Sequence, residues 1–313
     1  MEKYVVGIDL GGTKISGALA TLEGKIILKD IMATNAHEGE EAVLKRIIAL
    51  IDKIMDSGKV HIEEIRAIGI GSPGPLNAKT GTIIETPNLP FKNFNLTGPI
   101  AKKFQIPVYL DNDANVAALG EYVLGAGKGT ENMIYITVST GVGGGAILNG
   151  KIYRGSNSNA LEVGHTTVEP KGYRCNCGNY GCVEAMASGT AIAKRAEEAI
   201  ERGLDTTLTR YDKVTAYEVF QEAKTGDKVA QDVLNSCLNY LGICVANVIN
   251  SFDPDMVVIG GGVSKGGKIV FHKVKEVVNE RCMKAMAENC SIVPAKLGVD
   301  AGVIGAVVLA IGN

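Results

Sequence analysis

Apolar residues follow two rhythms along this chain. Dense apolar stretches at Lys3–Asp9, Ile15–Leu22 and Ile26–Met32 are separated by glycine-bearing gaps, the pattern of a three-strand meander. Between Glu40 and Asp56 the spacing changes. Val43, Ile47, Ile48, Ile51, Ile54 and Met55 recur at helical steps, which predicts a helix with one broad apolar face. Ala67–Gly71 reads as a buried strand, closed by a loop at Ser72-Pro73-Gly74-Pro75. Asn88-Leu89-Pro90 marks a second loop. Val108–Leu110 predicts a short strand and Ala114–Tyr122 a helix, with Asp111-Asn112-Asp113 between them.

The opening pattern then returns. Met133–Ile152 repeats the strand and hairpin, and Gly17-Ala18-Leu19 recurs as Gly145-Ala146-Ile147, 128 positions later. Beyond it, helices are expected at Thr190–Gly203, after the capping box Thr215-x-x-Glu218, at Asp227–Ser251 and at Gly267–Glu288. A strand at Asp255–Gly260 ends in the bend Gly260-Gly261-Gly262. This alternation predicts an α/β protein of two domains, residues 1–110 and 111–300, with an apolar helix at about 301–313 packing back on the first. No low-complexity linker separates the halves, so they are expected to face each other across a cleft.

Composition narrows the function. The 313 residues are 46% hydrophobic and 21% charged, as in a globular enzyme. A net charge of −2 supplies no field for nucleic acid or an anionic membrane. No apolar run is expected to span a membrane, and Met1-Glu2-Lys3 leads straight into a strand, so no signal peptide is expected. Seven cysteines without a secretory signal point to a reducing compartment, the cytoplasm, and to thiols or metal ligands.

Four groups of residues carry candidate chemistry. The repeated loops, Asp9-Leu10-Gly11-Gly12-Thr13-Lys14 and Ser139-Thr140-Gly141-Val142-Gly143-Gly144, have the glycines and hydroxyls of phosphate cradles. A carboxylate beside such a loop repels phosphate unless a cation intervenes, so Asp9 points to Mg²⁺. Asp111-Asn112-Asp113 sits where α/β sheets bind ligands. Helix capping accounts for one of these residues; a carboxylate left over can take a proton from a hydroxyl. His165, Cys175, Cys177 and Cys182 make a four-ligand zinc set with no open position, hence a structural Zn²⁺ site. Zinc would fix the flanking Glu162 and Glu184 as acceptors for sugar hydroxyls. Cys237, Cys244, Cys282 and Cys290 read as core thiols.

With these motifs the chain resembles the ROK family (repressors, open reading frames, sugar kinases) over essentially its whole length, and within it the ROK glucokinases. The resemblance implies a two-domain fold like those of actin and hexokinase (ribonuclease H-like), with ATP in the interdomain cleft. By it, Gly11, Gly12, Thr13, Lys14, Thr140 and Gly141 would hold phosphates, and Gly260, Gly261 and Gly262 would lie near the adenosine. Asn112-Asp113 matches the pair in which Asp is the base and Asn holds the sugar; Asp111, outside it, is expected to matter little. Glu162, His165 and Glu184 match sugar ligands, and Asn88 joins them as a candidate. His165 would serve both zinc and sugar. One departure stands out. Leu161 replaces the glycine usual before this Glu, which leaves the chemistry intact and bears on which hexose is preferred. The expected activity is ATP-dependent phosphorylation of glucose at its 6-hydroxyl, by a homodimer or homotetramer. The alternatives are a kinase for N-acetylmannosamine, fructose or mannose, and a sugar-sensing regulator. The latter carries an added DNA-binding segment, for which the first strand, starting at Lys3, is expected to leave no room.

Overall fold

The computed structural model describes residues 2–86 and 88–312. The apolar stretches at the start form β1 (Tyr4–Leu10), β2 (Lys14–Thr21) and β3 (Ile26–Ala33), and the helical pattern forms α1 (Glu40–Gly58). Then come β4 (Ile65–Ser72), β5 (Leu76–Asn77), β6 (Thr82–Glu85), β7 (Lys92–Asn95), α2 (Thr97–Phe104), β8 (Val108–Asn112) and α3 (Asp113–Leu124). The repeat supplies β9 (Met133–Val138), β10 (Val142–Leu148) and β11 (Lys151–Tyr153). The rest is α4 (Val183–Ala187), α5 (Gly189–Glu201), α6 (Ala216–Thr225), α7 (Lys228–Phe252), β12 (Met256–Gly260), α8 (Lys268–Arg281), α9 (Lys284–Asn289), β13 (Ser291–Pro294) and α10 (Ala301–Ile311).

The internal repeat extends to topology. One sheet runs β3-β2-β1-β4-β8 and the other β11-β10-β9-β12-β13, so each hairpin opens the same strand order. In both, a parallel strand follows the hairpin: β4 beside β1, and β12 beside β9. By Cα packing the chain forms two units, Met1–Gly129 with Gly145–Leu161 and Lys296–Asn313, and Thr130–Gly144 with Glu162–Ala295. In the first, α1 buries Val43, Ile47, Leu50, Ile51 and Ile54 against the β1–β4 face. α10 packs on β1, β4 and α3. In the second, α7 buries Leu234, Leu238, Leu241 and Val245. Its length and composition would suit a membrane span, which the apolar-run expectation missed, but its apolar face lies inside the fold.

One expectation is corrected and two unassigned segments gain structure. On either side of the loop expected at Asn88-Leu89-Pro90, segments unassigned from sequence form the antiparallel sheet β5-β6-β7, in which Ile83 faces Phe94. Strands of two to four residues show too few alternations to be recognised. The helix expected over Gly267–Glu288 breaks at Cys282, which is extended (φ −89°, ψ 152°). The Oδ1 of Asn250, at the end of α7, accepts from Cys282 Sγ and from the Met283 amide, both at 3.0 Å, and fixes that break. Ser291–Pro294, unassigned from sequence, pairs with β12 as β13.

Candidate functional site

In the first unit, β1 delivers Asp9 and the first glycine loop. The Gly11 amide donates to Lys14 O at 3.0 Å. Behind the loop lies buried Thr34, whose hydroxyl donates to Gly11 O at 2.7 Å and whose amide donates to Thr13 O at 2.9 Å. Asn88 lies beside Gly12, 3.1 Å from where a Cβ on that glycine would stand. Asp9 presses against the first turn of α10. A Cβ on Gly302 would lie 2.6 Å from its carboxyl carbon, so only glycine admits the carboxylate to the positive end of that helix. Burial pushes the Asp9 carboxyl up to about 6; the Asp113 charge adds to the rise and Lys14 opposes it.

β8 and α3 place Asp111, Asn112 and Asp113 in three environments. Asn112 caps α3, its Oδ1 accepting from the amides of Ala114 at 2.9 Å and Asn115 at 3.4 Å. That oxygen is therefore engaged, and the amide nitrogen is the end left for a ligand. Asp113 opens the helix, and its Oδ1 accepts from the Ala114 amide at 2.8 Å. Solvent reaches Asp113 from one side, while the protein packed around it raises its pKa. Asp111, expected to matter little, turns out to be the structural centre of this turn. It is fully buried, and Arg154 Nε donates to its Oδ2 at 2.6 Å. The Asn112 amide and Asn115 Nδ2 donate to its Oδ1 at 2.8 and 2.9 Å. Asp111 thus holds the turn that aims Asn112 and Asp113. Arg154, Asn115 and Thr34 were missed from sequence. Only the Asp-Asn-Asp run hinted at a partner for the third polar residue.

In the second unit, the second loop is tied to the start of α5. Ser139 O accepts from the Gly189 amide at 2.7 Å, and Thr140 O from the Thr190 hydroxyl at 2.8 Å. The Val142 amide donates to Glu184 Oε2 at 3.0 Å, and Glu184 fills the space where a Cβ on Gly141 would sit. Beside Ser139 and Thr140 opens a cavity of about 940 Å³. Val214, Ala216, Phe220 and Val263 give it apolar walls, and Lys194, Lys213, Lys224 and Lys265 add cations. Gly262 lines it. Gly260 and Gly261 turn instead against Tyr135 and Val138 of β9.

The ligand atoms of His165, Cys175, Cys177 and Cys182 all lie within 4.8 Å of one another. Cys177 and Cys182 are 3.7 Å apart, as are Cys175 Sγ and His165 Nδ1. The edge of a tetrahedron with metal–sulfur bonds of 2.3 Å is about 3.8 Å, so the donor set fits Zn²⁺. Burial and the neighbouring sulfurs push the Cys182 thiol up to about 12, a preference that a dication inverts. With Nδ1 toward the sulfurs, the exposed His165 ring has Nε2 for another partner. Glu162 is also exposed, opening the short turn Val163–His165. Leu161 before it has φ +67°, the left-handed region that favours glycine, the residue the family resemblance leads one to expect there.

The profile described as "ROK family" matches residues 5–313. A glucokinase of Halalkalibacterium halodurans is 39% identical over 309 residues, spanning 97% of this chain and 94% of that one. A xylose repressor of Caldicellulosiruptor bescii is 34% identical, spanning 99% of this chain and 78% of the repressor. Among solved structures, a ROK family glucokinase from Streptomyces griseus, in complex with glucose and AMPPNP, superposes with a TM-score of 0.82 at 31% identity. It covers 99% of this chain and all of that one.

Proposed function

The chain belongs to the ROK family, and from that premise we propose that it is an ATP-dependent kinase that phosphorylates glucose at its 6-hydroxyl. The observation that carries this reading is Asp113. It opens a helix, is partly desolvated, and shares a unit with Asp9 and the first glycine loop. The glucokinase relatives support the reading as well.

A sugar hydroxyl is a poor nucleophile at neutral pH. A carboxylate whose charged form is disfavoured is a stronger base than a free one, and Asp113 takes the hydroxyl proton as the new P–O bond forms. The nucleotide base and ribose occupy the cavity of the second unit, whose size and apolar walls suit a purine. Amides and hydroxyls of Gly11 to Lys14 and of Thr140-Gly141 hold the phosphates. Asn88, Asn112, Glu162, His165 and Glu184 hold the sugar. Asp9 would hold a Mg²⁺ ion, which would supply charge neutralisation for phosphoryl transfer. The zinc set keeps Glu162, His165 and Glu184 on one rigid frame. The kinase works in the cytoplasm as a homodimer or homotetramer.

Asn112, Asp113, Glu162, His165 and Glu184 are all hydrogen-bonding groups, which suits a polyhydroxylated ring and penalises an analogue lacking a hydroxyl. The xylose repressor match favours a second reading, a sugar-responsive regulator. A panel of hexoses, xylose and N-acetylhexosamines with Mg·ATP, followed by coupled ADP release, separates the two. The kinase reading expects the highest kcat/KM with glucose. A tenfold preference for another sugar reassigns the acceptor. Sugar binding without ADP release from any panel member contradicts the kinase.

A further inference from the structure

Two faces of the second glycine loop are supported differently. Its Ser139–Thr140 side is held by backbone and hydroxyl bonds from the start of α5. Its Gly141–Val142 side is held by a side chain, the Glu184 carboxylate. We infer that Glu184 is a positioning residue for the nucleotide loop, and that through it acceptor sugar and nucleotide bind cooperatively. This rests on the kinase reading for the identity of the two ligands.

Three observations converge on this carboxylate. Its Oε2 accepts from the Val142 amide at 3.0 Å. It occupies the space beside Gly141, where any Cβ would collide with that same oxygen. Its backbone follows the zinc ligand Cys182 by two residues, and its Oε1 lies 4.0 Å from Cys175 Sγ, so it stands directly beside the zinc set. The amides of a phosphate loop act together only if the turn keeps its shape. Here a carboxylate acceptor fixes that shape, and a hydrogen bond to a charged group is stronger than one between neutral partners. A sugar hydroxyl donating to Glu184 would immobilise the carboxylate, and the loop behind it, before the nucleotide arrives. Reciprocity then requires nucleotide to tighten sugar by the same factor.

The test is binding of Mg·AMPPNP, measured calorimetrically with and without glucose, on protein of verified zinc content. Without sugar, Glu184→Ala should weaken nucleotide binding about tenfold, the loss of one charge-assisted hydrogen bond. Glu184→Gln keeps an acceptor for the Val142 amide and should stay within about threefold of wild type. Glucose should tighten nucleotide binding in the wild type, typically by five-fold or more, and no longer in Glu184→Ala. A Glu184→Ala protein that loses glucose affinity but binds nucleotide as the wild type does would show a sugar ligand alone, and would overturn the inference while leaving the kinase intact. Wild-type protein that binds no nucleotide removes the kinase reading itself. Gly141→Ala probes the contact from its other side, whether or not Glu184→Ala retains zinc. Its Cβ should displace Glu184 and weaken glucose binding, with no further loss when combined with Glu184→Ala. Independent, additive losses would equally overturn the inference.

Discussion

The two glycine hairpins share a backbone plan and differ in everything around it. The first follows Asp9; the residue 128 positions later, at the matching place in the second, is Thr137. The first loop is braced by buried Thr34 and stands with two carboxylates, Asp9 and Asp113, whose charges oppose each other. The second is braced by α5 and Glu184, and opens on a cavity with apolar walls and lysines. A duplicated turn offers backbone amides in both places, and the surrounding side chains differ. On the proposed function, the first hairpin would serve where a cation and a proton acceptor are needed, and the second where a nucleotide base needs an apolar wall.

The sharpest way to break this division is at Asp113. Asp113→Asn keeps size and hydrogen-bond reach but cannot take the proton, so kcat should fall by about 10² to 10⁴. Glucose affinity by calorimetry should stay within a few-fold. A fall in kcat of less than tenfold would remove Asp113 from the role of base. On the other side, Cys177→Ser should lower zinc below one ion per chain by elemental analysis. It should also weaken glucose binding about tenfold or more, because Glu162, His165 and Glu184 lose their frame. Unchanged glucose affinity in zinc-depleted protein would separate the metal from the sugar site.

The carboxylate pair sharpens the comparison through pH. Asp9 has a pKa near 6 in the fold, against an ordinary 3.8, so between those values the folded chain holds more protons than the unfolded one. Its contribution to stability therefore falls as pH rises from about 4 to 6, the reverse of an ion-paired aspartate. Asp9→Asn should flatten that slope in urea titrations. It should raise the stability of the ligand-free protein at pH 7 by about 1–2 kcal/mol, while weakening Mg·ATP binding. A ligand-free variant less stable than wild type at pH 7 would mean that the Asp9 charge is welcome in the fold. The smallest effect is expected at Leu161. At an ordinary position alanine is more stabilising than glycine, but φ of +67° reverses the order. Leu161→Gly should be more stable than Leu161→Ala by about 1 kcal/mol in thermal melts. The opposite order would mean that the turn relaxes to ordinary backbone.

Much of this was legible in the sequence because it rested on local signals. The meander, α1 and the hairpin repeat follow from hydrophobic period and glycine placement. The zinc set follows from cysteine spacing, and its atoms lie at metal-binding separations. What was not legible depended on distant pairs. Asp111 reads as a redundant polar residue until Arg154, 43 positions away, is seen beside it. Thr34 looks like an unremarkable strand end until its two bonds to the loop are seen. The break after Arg281 comes from Asn250, over 30 residues earlier, and β5 to β7 are too short to show a period. Leu161 was legible as an oddity; its backbone angle gives the oddity a physical meaning.

The central claim is phosphoryl transfer to a sugar hydroxyl, and the most direct measurement is of the product. Wild-type protein incubated with Mg·ATP and glucose, and followed by ³¹P and ¹H NMR, should yield one ADP for each glucose carrying phosphate on its 6-oxygen. Glucose that binds but returns unmodified while ATP stays intact would contradict the account, and would leave the site as a sugar receptor.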